Sequence, residues 1–387
     1  MISRRSFIRI VGIGGAAGAL IAGGGYWAAT RGQMPESATA PWRNTGETVQ
    51  DPRLQAAAFA MLAPNPHNIQ PWLIRLAGED ALTLHVDLNR TLPHTDPPGR
   101  QILIGQGTFL EVYRMAAATL GYRAEIELLP EGPFPPDRLD GRPVARVTLV
   151  GDAAAERDPL FAQIKVRRSN KDPYDTTRAV TGEELSALMS VDLTHASLTA
   201  TRQPSQVQTL RDLTEAALKL EINTPRTLKE SIDLMRIGPA EVAANPDGID
   251  LLGPIMWWGP KLGIVSREDI ATPGTQSFQV GLDMARDQAQ SAMAHAWLTT
   301  PGNSRMDQVK AGMDYVRLNL KAAQQGLAIH PMSQLLQEYP EMTALQETLL
   351  AGIDRPEGHH VQMLVRLGHA ASPGPSPRRP VGDIVAA

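Results

Sequence analysis

Apolar residues recur at helical spacing after Asp51. Leu54, Ala58, Met61 and Leu62 share one face, Pro52 stands at the first helical position, and Pro64 ends the run. Residues 72–76 and 81–86 then read as strands around a turn at 77–80. Residues 109–120 read as a buried-type helix stopped by Gly121, followed by strands at 125–129 and 144–150 on either side of a Pro/Gly-rich loop. After a break at 153–158 the same order recurs in longer form. Helices are expected at 182–190, 206–221, 281–298 and 307–325, and strands at 197–201 and 361–367. Between 238 and 275 the pattern dissolves into Gly, Pro and aromatics around Trp257-Trp258.

The stretch from Phe109 to Gly121 lines up with that from Tyr315 to Gly326. Each is a helix with paired alanines late in its course, running into a glycine and an extended segment. This points to two related halves, 51–152 and 158–387, preceded by a linker at 31–50 that carries Pro35, Pro41 and Gly46.

At 387 residues the chain can hold more than one core-forming unit, and a net charge of -4 argues against a nucleic-acid partner. The absence of cysteine excludes disulfides, thiolate nucleophiles and Cys-ligated metals. His359, His360 and His369 lack the i, i+4 or carboxylate spacing of a metal site, so no metal is expected. The N-terminus, Ser3-Arg4-Arg5-Ser6-Phe7-Ile8-Arg9 with an uncharged Gly/Ala-rich run to Thr30, resembles a twin-arginine (Tat) export signal. The run is also long enough for a membrane anchor, which is compatible if the signal stays attached. The resemblance implies passage through the Tat translocon and a place in the periplasm or on the outer face of the cytoplasmic membrane.

Four polar clusters are candidates for one site. The first is the loop Pro64-Asn-Pro-His-Asn-Ile-Gln-Pro-Trp72, stiffened by three prolines and rich in amide groups. It suits recognition of a flat heteroaromatic, or is a surface turn closed by a packed Trp. The second is Lys165-Val-Arg-Arg-Ser-Asn-Lys171, the third Gly326-Leu-Ala-Ile-His-Pro-Met-Ser-Gln334, and the fourth Ser376-Pro-Arg-Arg-Pro380. Arginine forks in the second and fourth suit a phosphate dianion. A phosphate holder and an aromatic-edge reader together describe a mononucleotide cofactor.

As a set, the four clusters resemble the FMN-dependent nitroreductase superfamily, in its Tat-exported, two-half, Acg-type branch. The resemblance implies an α+β fold of mostly antiparallel sheets flanked by helices, with the two halves forming an intramolecular pseudo-dimer. It implies FMN, one per chain, held by Arg167, Arg168 and Ser169 at phosphate and ribityl oxygens, with Arg378 and Arg379 returning to the phosphate. Lys171 is placed near the N1–C2 edge. Pro64, Asn65, Pro66, Asn68 and Gln70 approach from the first half, and Pro331, Met332 and Ser333 border N5, with a backbone amide donating to it. Asn65 and Pro66 stand where the family often has serines, and Ser333 where it often has an acid. Ordinary members place Arg-Arg-Ser before the Asn-x-Gln-Pro-Trp loop, whereas here each half keeps one of the two. His67 and His330 are the histidines placed to touch substrate or flavin, and 238–275 is a candidate lid. The implied activity is hydride transfer through flavin N5 between a small-molecule donor and an electron-poor acceptor such as a nitroaromatic or quinone, with no catalytic side chain required. A flavin-sequestering protein and a generic periplasmic binding module are the alternatives.

Overall fold

The computed structural model describes residues 32–386, and the export-type segment at 1–30 lies outside the described residues. Helix α1 (Pro52–Ala60) starts where Asp51 accepts a hydrogen bond from the Arg53 amide at 2.9 Å. Strands β1 (Trp72–Ala77) and β2 (Ala81–Val86) form a hairpin. Helix α2 (Arg100–Thr119) follows and is ended by Gly121 in the left-handed region, φ 84°. Strands β3 (Tyr122–Leu128) and β4 (Ala145–Gly151) complete an antiparallel sheet of order β1-β2-β4-β3.

The second half repeats this plan. Helix α3 (Gly182–Met189) and β5 (Ser197–Thr201) correspond to α1 and β1. An insertion, residues 202–293, then replaces the tight hairpin turn of the first half. It carries α4 (Pro204–Asn223), α5 (Pro225–Asp233), a parallel pair β6 (Met235–Ile237) and β7 (Ile249–Leu251), and α6 (Gln276–Gln290). The chain resumes with β8 (Ala294–Thr300), α7 (Arg305–Gln324), β9 (Ala328–Pro331), α8 (Thr343–Gly352) and β10 (His360–Gly368). The sheet order β5-β8-β10-β9 matches the first, and Gly326, φ 70°, ends α7 as Gly121 ends α2. The fold is the expected α+β pseudo-dimer. Helices α2 and α7 cross at its centre, and one hydrophobic core runs through both, from Phe109, Val112 and Tyr113 to Val309, Tyr315 and Val316. Arg317 ties the halves further, bonding Glu111 at 2.8 Å and Asp158 at 2.6 Å.

Several stretches differ from expectation. The helix expected at 281–298 stops at Gln290, and Ala294–Thr300 is a fully buried strand at the middle of the second sheet. A continuous apolar run has no periodicity to separate the two forms, and Trp297, Thr299 and Thr300 favour the extended one. Helices α5 and α8 were not anticipated. Part of the stretch expected as a linker is packed: Ala38, Thr39, Trp42 and Thr45 are buried, and Trp42 Nε1 donates to the Ser376 carbonyl at 2.8 Å. Burying one large indole outweighs the local Pro/Gly signal. The C-terminal tail returns to the first half, where the Ala386 amide donates to the Ile74 carbonyl at 2.9 Å beside β1. No helix among the described residues is long and apolar enough to cross a membrane.

Candidate functional site

The fold joins all four polar clusters. The first meets the fourth twice: Arg378 Nη1 donates to Asn68 Oδ1 at 2.5 Å, and the Arg379 amide donates to Gln70 Oε1 at 2.8 Å. The second reaches the first through Arg167 Nη1 and the Leu62 carbonyl, 2.7 Å, and the tail through Arg168 Nε and the Pro373 carbonyl, 3.2 Å. The second also touches the third, since the Asn170 amide donates to the Ile329 carbonyl at 2.9 Å.

At the centre is Trp42. The guanidinium carbons of Arg168, Arg378 and Arg167 lie 4.7, 5.2 and 5.9 Å from its ring centroid. The hydrogen-bond partners of these three arginines are all neutral: backbone carbonyls, Asn319, Ser169, Asn68 and Ser376. Arg378 Nε is buried with no partner among the described residues. Burial pulls Arg167 down to about 10, and burial with the charges of Arg167 and Arg168 pulls Arg378 well below the usual guanidinium range. Arginine does not give up its proton in proteins, so the cluster is a demand for negative charge. Indole faces meet part of it through cation–π attraction. A bidentate oxyanion would meet it more fully.

The loop's amides are already engaged. Asn65 Oδ1 accepts from the Gln70 amide at 2.8 Å, Asn68 Nδ2 donates to the Pro377 carbonyl at 3.1 Å, and Gln70 Nε2 donates to the Pro246 carbonyl at 2.9 Å. Three residues hold left-handed backbones: His67 at φ 46°, Asn68 at 55° and Gln70 at 51°. Such angles are costly for side chains other than Asn and Gly and persist only where surrounding bonds enforce them. Here the enforcing bonds come from the tail and from the insertion, whose Gly248 amide donates to the Asn68 carbonyl at 3.0 Å. Asp247 anchors that part of the insertion, pairing with Arg90 at 2.5 Å and Arg236 at 2.6 Å.

Lys171 is exposed and carries its charge toward His67, His330 and Asp250, each of which feels its field. Burial, then Lys171, holds His67 down to about 4, and burial, Arg366 and Lys171 hold His330 well below the usual imidazole range. Asp250, on β7, is pushed up by burial against the pull of Lys171 and Arg378. His330 Nδ1 accepts from Arg366 Nε at 3.3 Å. Ser169 accepts a long bond from Arg167, 3.4 Å. Among the other expected residues, Pro331 ends β9 and Ser333 opens the next turn, where its carbonyl accepts from Gln101 Nε2 at 3.3 Å. Met332 turns inward into a second core cluster, and its amide is bonded to the Leu364 carbonyl at 2.8 Å. Arg379 faces the loop, donating through Nη2 to the Gln70 carbonyl at 2.7 Å. Pro64 and Pro66 shape the loop: the Pro64 carbonyl takes the Thr108 hydroxyl at 2.6 Å, and Pro66 opens the turn that carries His67. Trp42, Asn319 and Asp250 were missed by sequence reasoning. A tryptophan inside a supposed linker was the one available signal.

The fold and site define a two-half α+β protein with a buried cationic cluster, short of negative charge, built across its internal interface. No protein-family model matches the sequence. "Putative NAD(P)H nitroreductase acg" of Mycobacterium tuberculosis is 26% identical over 349 residues, covering 85% of this chain and 93% of its own. A second M. tuberculosis protein, "Putative NAD(P)H nitroreductase Rv3131", is 27% identical over 336 residues, covering 84% and 89%. An uncharacterized protein of the same organism, Rv3127, is 25% identical over 352 residues, covering 85% and 91%. Over most of its length the chain is thus similar to proteins named as nitroreductases. Solved nitroreductases that align with it include FMN-bound enzymes from Desulfitobacterium hafniense, with TM-score 0.36, 13% identity and coverage of 60% of this chain and 99% of that one, and from Bacteroides fragilis, with 0.31, 16%, 57% and 94%.

Proposed function

We propose that this chain binds one FMN and works as a nitroreductase-type oxidoreductase, passing reducing equivalents from a small-molecule donor to an electron-poor acceptor such as a nitroaromatic or quinone. The observation that carries this reading is the set of three guanidiniums around Trp42 with only neutral partners. Arg167, Arg168 and Arg378 fit the phosphate, and Ser169 the ribityl chain. Lys171 supplies positive charge where reduction leaves negative charge. Bound FMN would supply the hydride chemistry at N5. The protein's part is to bind, to orient and to keep water from the cofactor, a role supported by the insertion's bonds to the opening loop through Pro246 and Gly248.

Purified protein should take up FMN and turn yellow, and anaerobic NAD(P)H should bleach it. A preparation that takes up no FMN ends the proposal. Arg168→Ala should release the cofactor, with affinity falling on the order of tenfold to a hundredfold for one lost charge-assisted contact. The insertion's bonds to the loop favour a second reading, a closed flavin store with little turnover. Binding with an inert spectrum toward NAD(P)H and other donors would support that reading. Export by the Tat route to the periplasm or outer membrane face, with the N-terminus serving as an anchor if it is not cleaved, belongs to the same proposal. Replacing Arg4 and Arg5 by lysines should hold the protein in the cytoplasm, read by fractionation.

A further inference from the structure

We propose that His67 is the side chain through which the first half contacts the electron acceptor, by a hydrogen bond to a carbonyl or nitro oxygen. This rests on the function proposed above and adds to it a specificity-determining residue.

Four observations on the loop converge. Asn65, Asn68 and Gln70, the polar neighbours of His67, are bonded within the protein. They shape the loop and leave His67 as its one side chain with hydrogen-bonding capacity to offer. His67 Nδ1 is buried and has no hydrogen-bond partner among the described residues, although the side chain as a whole is half-buried. A buried ring nitrogen left unsatisfied is destabilising by itself and is expected where a ligand completes it. The backbone at His67 is held at φ 46°, ψ 15° by bonds on both sides of it. Strain of this kind, enforced by the surroundings, aims a side chain. Finally, the other half comes close: the charge of its Lys171 acts on His67 and also on His330 of β9, which Arg366 braces.

The chemical character of the contact follows. Beside the fixed charge of Lys171, and with its own ring desolvated, His67 stays a neutral imidazole above pH of about 4. A neutral imidazole presents one N–H donor and one acceptor. It would orient an uncharged planar acceptor through an oxygen without adding a second cation. His330 already has its Nδ1 occupied by Arg366, so the two histidines are not equivalent.

The test uses the full chain loaded with FMN. Wild type, His67→Phe and His67→Gln are photoreduced anaerobically and mixed with menadione, or with ferricyanide as an outer-sphere acceptor that needs no oriented contact. The His67→Phe variant should keep FMN affinity and ferricyanide rate within about threefold, and raise the menadione saturation constant about tenfold, the size of one lost hydrogen bond. The His67→Gln variant, which keeps a donor, should recover most of that loss. Menadione saturation unchanged in both variants would overturn the inference while leaving the FMN reading intact. Loss of FMN from both variants would also overturn it, by making His67 a cofactor ligand. A wild-type chain that takes up no FMN removes both readings together.

Discussion

Gly107 of α2 and Gly312 of α7 face each other where the two helices cross. A β-carbon at Gly107 would collide with the Val309 carbonyl oxygen, and one at Gly312 with the Ile104 carbonyl oxygen. The contacts are reciprocal with one offset along the chain, and the same offset relates Gly121 to Gly326. This is the isologous geometry of a two-fold dimer interface, written into one polypeptide.

Gly107→Ala and Gly312→Ala should therefore be damaging to similar degrees. Each forces backbone apart in a close-packed interior, at about 3 kcal/mol. Urea unfolding of the two variants checks this, and a loss confined to one of them would break the symmetry argument.

Trp42→Ala should lower stability by about 3–5 kcal/mol, the usual range for removing a buried Trp, and should loosen the arginines it stacks on. Trp42→Phe keeps an aromatic ring, though a smaller one, and drops the bond to Ser376, about 1 kcal/mol. The informative readout is the FMN release rate of each variant beside its unfolding midpoint. Faster release in proportion to lost stacking is the expected result.

Asp247→Ala removes two ion pairs, one that holds the insertion to Arg90 of the first half and one to Arg236 within the insertion. Both arginines keep some access to water, so the loss should be about 2 kcal/mol, less than for a fully buried pair. Limited proteolysis should show faster cleavage within 238–275.

Glu221 gives a pH signature. Burial pushes its carboxyl up to about 7, against hydrogen bonds from Gln337 at 2.7 Å and Ser231 at 3.1 Å, with the Glu230 charge adding to the rise. The folded value lies above the ordinary 4.5, so the folded state binds the proton more tightly than the unfolded chain. Its contribution to stability is full below pH of about 4.5 and is lost as pH rises toward 7, by about 3 kcal/mol in all. Glu221→Gln should flatten this part of the profile. Denaturant unfolding of both proteins across that range measures the difference.

Much of this molecule can be read from local sequence. Gly121 and Gly326 mark both helix ends because a left-handed residue is a local requirement. Strands β3 and β4 of the first sheet alternate in burial, since one face is more open to water. Ala294–Thr300 was hidden for the opposite reason: it is buried on both faces and carries no period. In the site, residue types were informative and directions were not. Asn68 and Gln70 have the donors and acceptors of ligand contacts, yet the tail takes them, and that tail lies some three hundred residues away. Trp42 was concealed among prolines and glycines that describe a linker, because only the assembled arginine cluster gives it a place.

The tail that docks beside β1 and the helix pair at Gly107 and Gly312 have one more consequence. A recess shared between two separate subunits empties when dilution drives the subunits apart. Here the partner surface is tethered, so its effective concentration is fixed by the chain itself. The site should persist at any protein concentration, and each half is free to change without the same change appearing in the other.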